Sequence, residues 1–521
     1  MASVRSTLAV AAVATALLAG SAHAAPVIVV DGSRAERVND PSVPARPEIA
    51  LGVPVGGREP VGLATAAAAR TGTRTTAART RRAWRTARAA AGSRRARRAV
   101  LGALSRSRRA GSIGTDDEQR WRRWYLRGLG SLRRLIGARD TQLRYVVDSV
   151  EALAIGRRLI PSRMAAAFLQ LERNRQYWRA LPYPAVGDQV SFRGSQILFQ
   201  YFPGEGLQIH PLSTFKKANA LHGFCERRET GCDLAALRRL LDEMAELAVG
   251  RGRGFIAWEY LFHFGGGAPP WISGMAEATA IQALGRAARL FNEPGYRETG
   301  RRALGAFETP PPVGVRTTGP RGGVHYLQYS FAPRLYIFNA FIQSLIGLYD
   351  FAGLAADDRA RRLYDQAEPE ARAEVPLSDV GDWSRYSYAG AESTAEYHEL
   401  LRELLQSMCI RRLGPVYCEY ARRYRGYQVD PPELTFSGPD AAAARTWTSV
   451  RFSVSKLSAV EVKVYKGRRL AYERLATFRR GSGAFAWRPR TAGVYTVRLA
   501  AKELRTGLGK RDRTVGEIIV E

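Results

Sequence analysis

Hydrophobic and polar positions change their spacing along the chain. From Asp116 to about residue 425, apolar residues recur with helical spacing, as in "DDEQRWRRWYLRGLGSLRRLIG" at 116–137. This spacing predicts amphipathic helices joined by Gly- and Pro-containing loops. The segment "GDQVSFRGSQILFQYF" at 187–202 alternates instead and predicts a β-hairpin. The pattern therefore favours a mainly α fold with a small β-hairpin region. Further helices are predicted at 142–155, 162–181, 234–249, 271–291, 296–306, 335–351, 357–366 and 393–413.

After Asp430 apolar residues recur at every second position. The segments "TSVRFSVSK", "AVEVKVYKG" and "GVYTVRLAAK" alternate between apolar and polar residues, with turn residues between them. They predict the short strands of a C-terminal β-sandwich (Ig-like) domain at 431–521. A packing role is favoured over sugar binding, because only Trp447 and Trp487 stand out as aromatic candidates.

For the first 115 residues the expectations come from composition and charge. The segment 1–24 has a basic residue, an apolar stretch and the small residues Ala22 and Ala24, which predicts a secretory signal peptide. Between Arg70 and Thr115 there are fourteen arginines and no acid. We expect 25–115 to be a disordered Arg/Ala-rich linker, either a tether or an arm that holds an anionic polymer.

Net charge indicates the class of partner, and the cysteines indicate disulfides rather than a metal site. With 79 Lys and Arg against 48 Asp and Glu, the net charge is +31, which favours polyanions. An exported protein, secreted or associated with the cell envelope, is expected to bind an anionic polysaccharide and no nucleic acid. Export also suits disulfides, which we expect between Cys225 and Cys232 and between Cys409 and Cys418. Neither pair has the spacing or the His ligands of a metal site, so no metal is expected.

The most apolar predicted helix contains two amides. In "LQYSFAPRLYIFNAFIQSLIGLYDF" at 327–351, Asn339 and Gln343 lie on one helical face. A membrane span would bury both amides in lipid at a cost of several kcal/mol. We therefore predict a helix buried in protein, whose amides face a cavity or partner helices, or else make ordinary core contacts.

Polar and aromatic residues also gather in four other places. Gln328 and Tyr329 precede the apolar helix in a loop stiffened by Pro333. The segment "DVGDWSRYSYAGAESTAEYHELLRELLQ" at 379–406 holds a second set of tyrosines. It contains Tyr386, Tyr388, Tyr397 and His398. The segment 203–224 contains Gln208, His210 and Lys216. Trp271, Ser273 and Glu277 lie at the mouth of a predicted helix.

Four segments resemble the C-terminal domain of the D-glucuronyl C5-epimerases. They are "WISGMAEATAIQALGRAARLF", "QYSFAPRLYIFNAFIQSLIGLYDF", "DVGDWSRYSYAG" and "EYHELLRELL", within residues 185–425. The resemblance implies an α/α toroid, an incomplete helical barrel, over 116–430, with a cleft for an anionic chain. It also implies a homodimer, no cofactor, and the catalytic tyrosines Tyr329, Tyr397 and Tyr386. Gln328 stands where the family has an acid, and a shortened loop leaves Tyr386 and Tyr388 interchangeable.

The implied reaction is C5-epimerisation of uronic acid residues, of the glucuronate to iduronate type. Removing the C5 proton needs a base on one face of the sugar, an acid on the other, and donors for the carboxylate. The predicted substrate-binding residues are Gln208, His210, Lys216, Gln328, Arg334, Asn339, Arg385 and His398. The alternatives are a polysaccharide lyase, which eliminates the C4 substituent from the same intermediate, and a non-catalytic polysaccharide-binding protein of the cell envelope.

Overall fold

The structure is a computed structural model, and it describes residues 24–44, 82–88, 91–252, 254–509 and 514–521. The predicted signal peptide lies outside the described residues, apart from Ala24. The described residues form two compact units, a first unit that ends at Ala371 and a second unit that begins at Arg372. This boundary falls inside the predicted helical domain at 116–430 and not near Asp430.

The first unit contains a five-stranded sheet with the order β2-β1-β3-β4-β5. Its strands are β1 (Ala24–Asp31), β2 (Arg34–Pro44), β3 (Gln189–Phe192), β4 (Phe199–Phe202) and β5 (Gly206–Ile209). The predicted hairpin at 187–202 is present as β3 and β4. Val27 pairs with Val38 in an antiparallel hairpin and with Gln189 in a parallel ladder, so the N-terminal hairpin completes the sheet.

The linker predicted as disordered at 25–115 is folded in its described parts, so that prediction is wrong for them. Besides the β1–β2 hairpin, residues 82–88 and Arg94–Arg109 are helical. In the second helix Ala96, Val100 and Leu104 are buried on one face. Composition suggested disorder because arginines are numerous, but the apolar residues between them have helical spacing and form a stripe that packs.

Helices make up most of the first unit, and its remaining strands form two short hairpins. The helices are α1 (82–88), α2 (Arg94–Arg109), α3 (Thr115–Leu132), α4 (Gly137–Ile155), α5 (Pro161–Trp178), α6 (Pro211–Glu226), α7 (Leu234–Glu246), α8 (Gly274–Leu290), α9 (Pro294–Ala303), α10 (Phe338–Ala355) and α11 (Asp358–Glu374), which contains the unit boundary. The hairpins are β6 (Val249–Arg251) with β7 (Phe255–Ala257), and β8 (Arg316–Thr318) with β9 (Val324–Tyr326). The structure is about 46% helical, with thirteen described helices and several sheets, and the small β-hairpin region that was predicted is part of a larger, five-stranded sheet. The described helices form no closed barrel, and the α/α toroid stays a prediction.

The apolar helix α10 packs closely against α8. A Cβ on Gly347 would lie 2.3 Å from the carbonyl oxygen of Ala278, so only glycine allows this approach. Gln343 is buried, and its Nε2 donates a 3.3 Å hydrogen bond to Thr279 Oγ1 on α8. Of the two amides in α10, this one therefore faces a partner helix. Among the described residues, no helix combines the length and apolarity that crossing a membrane requires.

The second unit begins within α11 and contains two further helices and eight strands. They are α12 (Ala395–Ile410), α13 (Pro415–Val429), β10 (Leu434–Phe436), β11 (Ala441–Ala442), β12 (Thr448–Val454), β13 (Ser458–Lys466), β14 (Arg469–Phe478), β15 (Gly481–Trp487), β16 (Gly493–Glu503) and β17 (Thr514–Val520). The sheets have the orders β10-β12-β15 and β11-β17-β16-β13-β14. Inward residues of both, such as Phe452, Val462 and Val497, share one hydrophobic cluster. The strands predicted after Asp430 are thus present, while the β-sandwich (Ig-like) class stays a prediction.

Both predicted disulfides are present. Cys225, in the last turn of α6, is bonded to Cys232, which follows the helix. Cys409, at the end of α12, is bonded to Cys418 in α13. Each closes a short loop, so each stabilises a local turn rather than linking distant parts of the chain.

Candidate active site

In the first unit, Gln328 and Tyr329 are held beside the start of α8. The backbone N–H of Gly274 donates to the Leu327 carbonyl at 3.1 Å, and the N–H of Ser330 donates to the Ile272 carbonyl at 3.0 Å. A Cβ on Gly274 would lie 2.5 Å from the Leu327 oxygen, so this contact requires glycine. The predicted loop therefore has a defined backbone position.

Aromatic rings surround Tyr329, which is almost fully buried. Its ring stacks on Phe331 with centroids 5.3 Å apart and meets the Trp271 ring edge-on at 5.7 Å. Phe264 lies at 5.6 Å, and Trp271 itself stacks on Tyr260 at 4.2 Å. The Tyr329 ring is therefore packed on several sides, and such packing favours the fixed position that proton transfer needs.

Two amides of the first unit have unmet hydrogen-bonding capacity. Gln328 and Asn339 are 2% and 3% exposed. Among the residues that the structure describes, no hydrogen-bond partner lies near Gln328 Oε1 or Asn339 Nδ2. A buried polar atom without a partner costs about 1–3 kcal/mol. Such atoms are commonly satisfied by ordered water or by a polar ligand, so both residues stay candidates for substrate binding.

Gln208 and His210 make contacts inside the protein core. Gln208 Oε1 accepts a 2.7 Å hydrogen bond from Gln170 Nε2, and its Nε2 donates to the Glu205 carbonyl. His210 caps α6, because its Nδ1 accepts from the N–H of Ser213 at 3.1 Å. Burial lowers the pKa of His210 to about 3, so its imidazole is neutral. These contacts give Gln208 two partners in the core, while His210 Nε2 has no hydrogen-bond partner among the described residues.

The cations predicted in the first unit have different surroundings. Arg334 is exposed in the turn before α10, and Lys216 is half-buried on α6. The neighbouring Lys217 is buried, and its Nζ forms a 3.1 Å ion pair with Asp40 of β2. Nothing local in the sequence distinguishes these two adjacent lysines, so only the structure shows that Lys217 is the one paired with an acid.

Glu277, predicted at the mouth of a helix, is fully buried in the first turn of α8. Its Oε1 accepts a 2.9 Å hydrogen bond from the N–H of Trp258. No described residue pairs with its Oε2. Burial raises the pKa of this carboxyl well above its usual range, so the site favours the neutral acid.

In the second unit, Tyr386 and Tyr397 are in contact. Their rings meet edge-on with centroids 4.8 Å apart, and each side chain is 7% exposed. Tyr386 lies in a hairpin-like loop in which its N–H donates to the Ala391 carbonyl at 3.0 Å. Tyr388 is 41% exposed. The structure thus distinguishes two tyrosines that the sequence left interchangeable, because Tyr386 is buried against Tyr397 whereas Tyr388 is exposed.

His398 and Arg385 are the sequence neighbours of Tyr397 and Tyr386, and both make contacts within the second unit. The His398 ring stacks on Trp383 with centroids 3.7 Å apart. Its Nε2 lies 3.1 Å from the Tyr424 carbonyl and its Nδ1 lies 2.8 Å from Ser384 Oγ. A carbonyl only accepts, so Nε2 carries the proton and Nδ1 accepts from the serine hydroxyl. Burial lowers the pKa of His398 to about 4, and Arg385 Nη1 donates to the Gly390 carbonyl at 2.9 Å.

Sequence reasoning missed Arg505, which follows β16 in the second unit. Its guanidinium lies 5.2 Å from the centre of the Trp383 ring and forms ion pairs with Asp382 and Glu392 on either side of Tyr386. No local motif could identify it, since the contact joins a strand end to a loop far away in the sequence.

Comparison with known proteins gives a match to the region that holds these tyrosines. Residues 252–426 match the family model described as D-glucuronyl C5-epimerase C-terminus. A D-glucuronyl C5-epimerase of Caenorhabditis elegans is 29% identical over 178 residues, 30% of this chain and 29% of that protein. An uncharacterized protein of Methanocaldococcus jannaschii is 23% identical over 177 residues, 33% of this chain and 58% of that protein. The chain thus spans less than two thirds of either relative.

Solved structures are less similar. An endo-beta-1,4-glucanase from Acetobacter xylinum aligns with a TM-score of 0.32 and 15% identity, over 46% of this chain and 75% of that one. The CARDB domain of a Pyrococcus furiosus protein aligns with a TM-score of 0.14 and 16% identity, over 17% of this chain and 91% of that one. At these scores neither structure identifies the fold.

Proposed function

Residues 252–426 belong to the family of the D-glucuronyl C5-epimerase C-terminus, and from this premise we propose that the protein epimerises uronic acid residues of an acidic polysaccharide at C5. The observation that carries the proposal is the position of the matched segment. It contains Tyr329, Tyr386 and Tyr397, whereas Gln208 and His210 lie outside it and are bonded in the core.

The proposed reaction moves one proton off C5 and returns one from the opposite face of the sugar ring. Following the family resemblance, we assign proton transfer to Tyr329 and to Tyr397, and within the second unit Tyr386 supports Tyr397 through their edge contact. The C5–H bond breaks, its electron pair delocalises into the uronate carboxylate, and a new C5–H bond forms on the other face. No redox change occurs, so the step is balanced without a cofactor.

Charge on the carboxylate increases as the proton leaves, and the site must stabilise it with donors. In the first unit, the buried amides of Gln328 and Asn339 are the proposed donors. In the second unit, Arg385 supplies a cation in the loop that carries Tyr386. Because an amide does not exchange protons as an acid does, Gln328 is proposed to bind the carboxylate and not to relay protons.

The charge of the whole chain suits this substrate class. A net charge of +31 attracts an anionic polymer and speeds its encounter with the protein. We propose that the protein acts after export, either secreted or at the cell envelope, where such polymers are exposed.

The proposal is tested by incubating the protein with a glucuronate polymer in D2O and analysing the sugar residues. An epimerase introduces deuterium at C5 and produces the inverted uronate. An unsaturated uronide, seen by its ultraviolet absorbance, would instead identify a lyase. Binding of the polymer without either product would identify a non-catalytic binding protein, and both of these outcomes would contradict the proposal.

The residue assignment is tested with single hydroxyl deletions. Tyr329→Phe and Tyr397→Phe remove only the group that transfers the proton, so each is expected to lower kcat on the order of a hundredfold or more. Tyr388→Phe is the matched control, because Tyr388 is in the same loop as Tyr386 and is 41% exposed. Full activity of Tyr329→Phe would overturn its assignment.

A further inference from the structure

Arg505 lies in a turn whose shape is set by one buried carboxylate. Glu503, at the end of β16, is 1% exposed. Its Oε2 accepts hydrogen bonds from the N–H of Arg505 at 2.9 Å and from the N–H and hydroxyl of Thr506 at 2.5 and 2.7 Å. Gly507 closes the turn with a φ of 74°, a conformation that favours glycine. The hydrogen bonds of this turn therefore hold the backbone of Arg505 independently of the contacts of its side chain.

The Arg505 side chain connects Asp382 and Glu392, and it also lies 3.5 Å from Glu503 Oε1 of its own turn. Its Nη1 donates to Asp382 Oδ2 at 3.0 Å, and its Nη2 donates to Glu392 Oε2 at 2.7 Å. Asp382 Oδ2 also accepts from the backbone N–H of Leu457 at 2.9 Å. The Arg505 side chain is 13% exposed and that of Asp382 is 7% exposed, so solvent screens the first ion pair only weakly.

The two acids lie at opposite ends of the loop that carries Tyr386. Within this loop the N–H of Ser393 donates to the Ser384 carbonyl at 2.8 Å, and the N–H of Tyr386 donates to the Ala391 carbonyl at 3.0 Å. One guanidinium that holds both ends keeps these hydrogen bonds in register. It thereby sets where the Tyr386 ring meets Tyr397.

The same guanidinium also lies over the Trp383 ring, at 5.2 Å from its centre. Trp383 stacks on His398, which is adjacent to Tyr397 in α12. Arg505 therefore contacts both ends of the loop that carries Tyr386 and a ring that stacks on the sequence neighbour of Tyr397. A planar fork that binds two carboxylates while stacking on an aromatic ring is a property of arginine that lysine does not share.

We propose that Arg505 is a positioning residue for epimerisation, and that the C-terminal sheets of the second unit serve the reaction by presenting it to the Tyr386 loop. This inference rests on the proposed function. It assigns the C-terminal strands a role in the active site that a domain used only for packing would not have.

The test compares Arg505→Met and Arg505→Lys with Arg498→Met in the full-length protein. Arg498 is the matched control, because it is exposed on β16 and its guanidinium lies 5.1 Å from the centre of the Tyr465 ring. Misplacing a reacting group by about 1 Å can cost on the order of a hundredfold in rate. We expect Arg505→Met to lower kcat by about tenfold to a hundredfold with KM changed less than about twofold. Arg505→Lys is expected to recover part of the loss and Arg498→Met to leave kcat unchanged.

Hydrogen exchange gives a readout that does not depend on activity. In Arg505→Met the amides of Tyr386 and Ser393 are expected to exchange on the order of tenfold faster, because their acceptors move. If Arg505→Met does not fold, Glu392→Gln is used in its place, because it removes the ion pair between Arg505 and Glu392.

Three results would overturn the inference. In an active wild-type protein, unchanged kcat and unchanged exchange in Arg505→Met would refute the positioning role alone. Equal loss of kcat in Arg505→Met and Arg498→Met would show a general effect on stability. A wild-type protein without epimerase activity would overturn the proposed function first, and the catalytic part of this inference with it.

Discussion

The buried carboxyl of Glu277 makes the folded protein sensitive to pH in a direction that the structure predicts. Its Oε1 accepts from the N–H of Trp258, and its Oε2 meets no partner among the described residues. The glutamine in Glu277→Gln has nearly the same shape and keeps an oxygen for the Trp258 N–H. Its amide N–H2 replaces the hydroxyl of the neutral acid. The substitution therefore removes the titration of residue 277 and leaves its packing intact.

The magnitude follows from the linkage between proton binding and folding. Burial raises the folded-state pKa of Glu277 above the ordinary value of 4.5, so the folded protein holds a proton that the unfolded chain has released. The stabilising contribution is present below the unfolded-state pKa and is lost as the pH rises towards the folded-state pKa. In that interval the wild-type free energy of unfolding should fall relative to Glu277→Gln by about 1.4 kcal/mol per pH unit.

The assay is urea unfolding of both proteins, followed by tryptophan fluorescence at several pH values between about 5 and 7. Glu298→Gln, at an exposed position of α9, is the control, and its difference from the wild type is expected to stay constant with pH. Parallel curves for the wild type and Glu277→Gln would refute the reasoning, because they would mean that Glu277 binds no extra proton in the folded state.

Two further predictions concern packing and ion pairing in the first unit. Gly347→Ala should destabilise the protein by about 1–3 kcal/mol through overpacking, because its Cβ would lie 2.3 Å from a carbonyl of α8. Gly353→Ala, in the same helix with no atom within 4 Å of the added Cβ, should instead stabilise by about 0.5–1 kcal/mol, and thermal unfolding of both variants checks the difference in sign. Lys217→Met should destabilise by about 3 kcal/mol or less, because it leaves Asp40 partly buried without its cation. The measurement is hydrogen exchange in β1 and β2, and unchanged protection there would contradict a role for this ion pair in attaching the hairpin.

Much of the secondary structure follows from local spacing in the sequence. The helical period at 335–351 predicts a helix buried in protein, and α10 spans Phe338–Ala355. The period of two after Asp430 predicts strands, which are present as β10 to β17. The two disulfides were predictable for the same reason, because each joins cysteines that are close along the chain.

Composition gave a wrong prediction where many charged residues stand between apolar residues with helical spacing. The arginines between residues 70 and 115 suggested disorder, but Val100 and Leu104 of α2 are fully buried. Pairing between distant segments could not be predicted either. The parallel ladder between β1 and β3 joins residues 27–30 to 189–192, and a short alternating segment does not specify its partner.

The sequence by itself determined the periods of the helices and strands, the nearby cysteine pairs and the segment that resembles the epimerase family. Only the tertiary structure decided that Tyr386 meets Tyr397, that Lys217 pairs with Asp40, and that Arg505 holds the Tyr386 loop. The physical reason is the range of the interactions. Periodicity reports which face of one element is buried, while a site depends on side chains that distant segments bring within hydrogen-bonding distance.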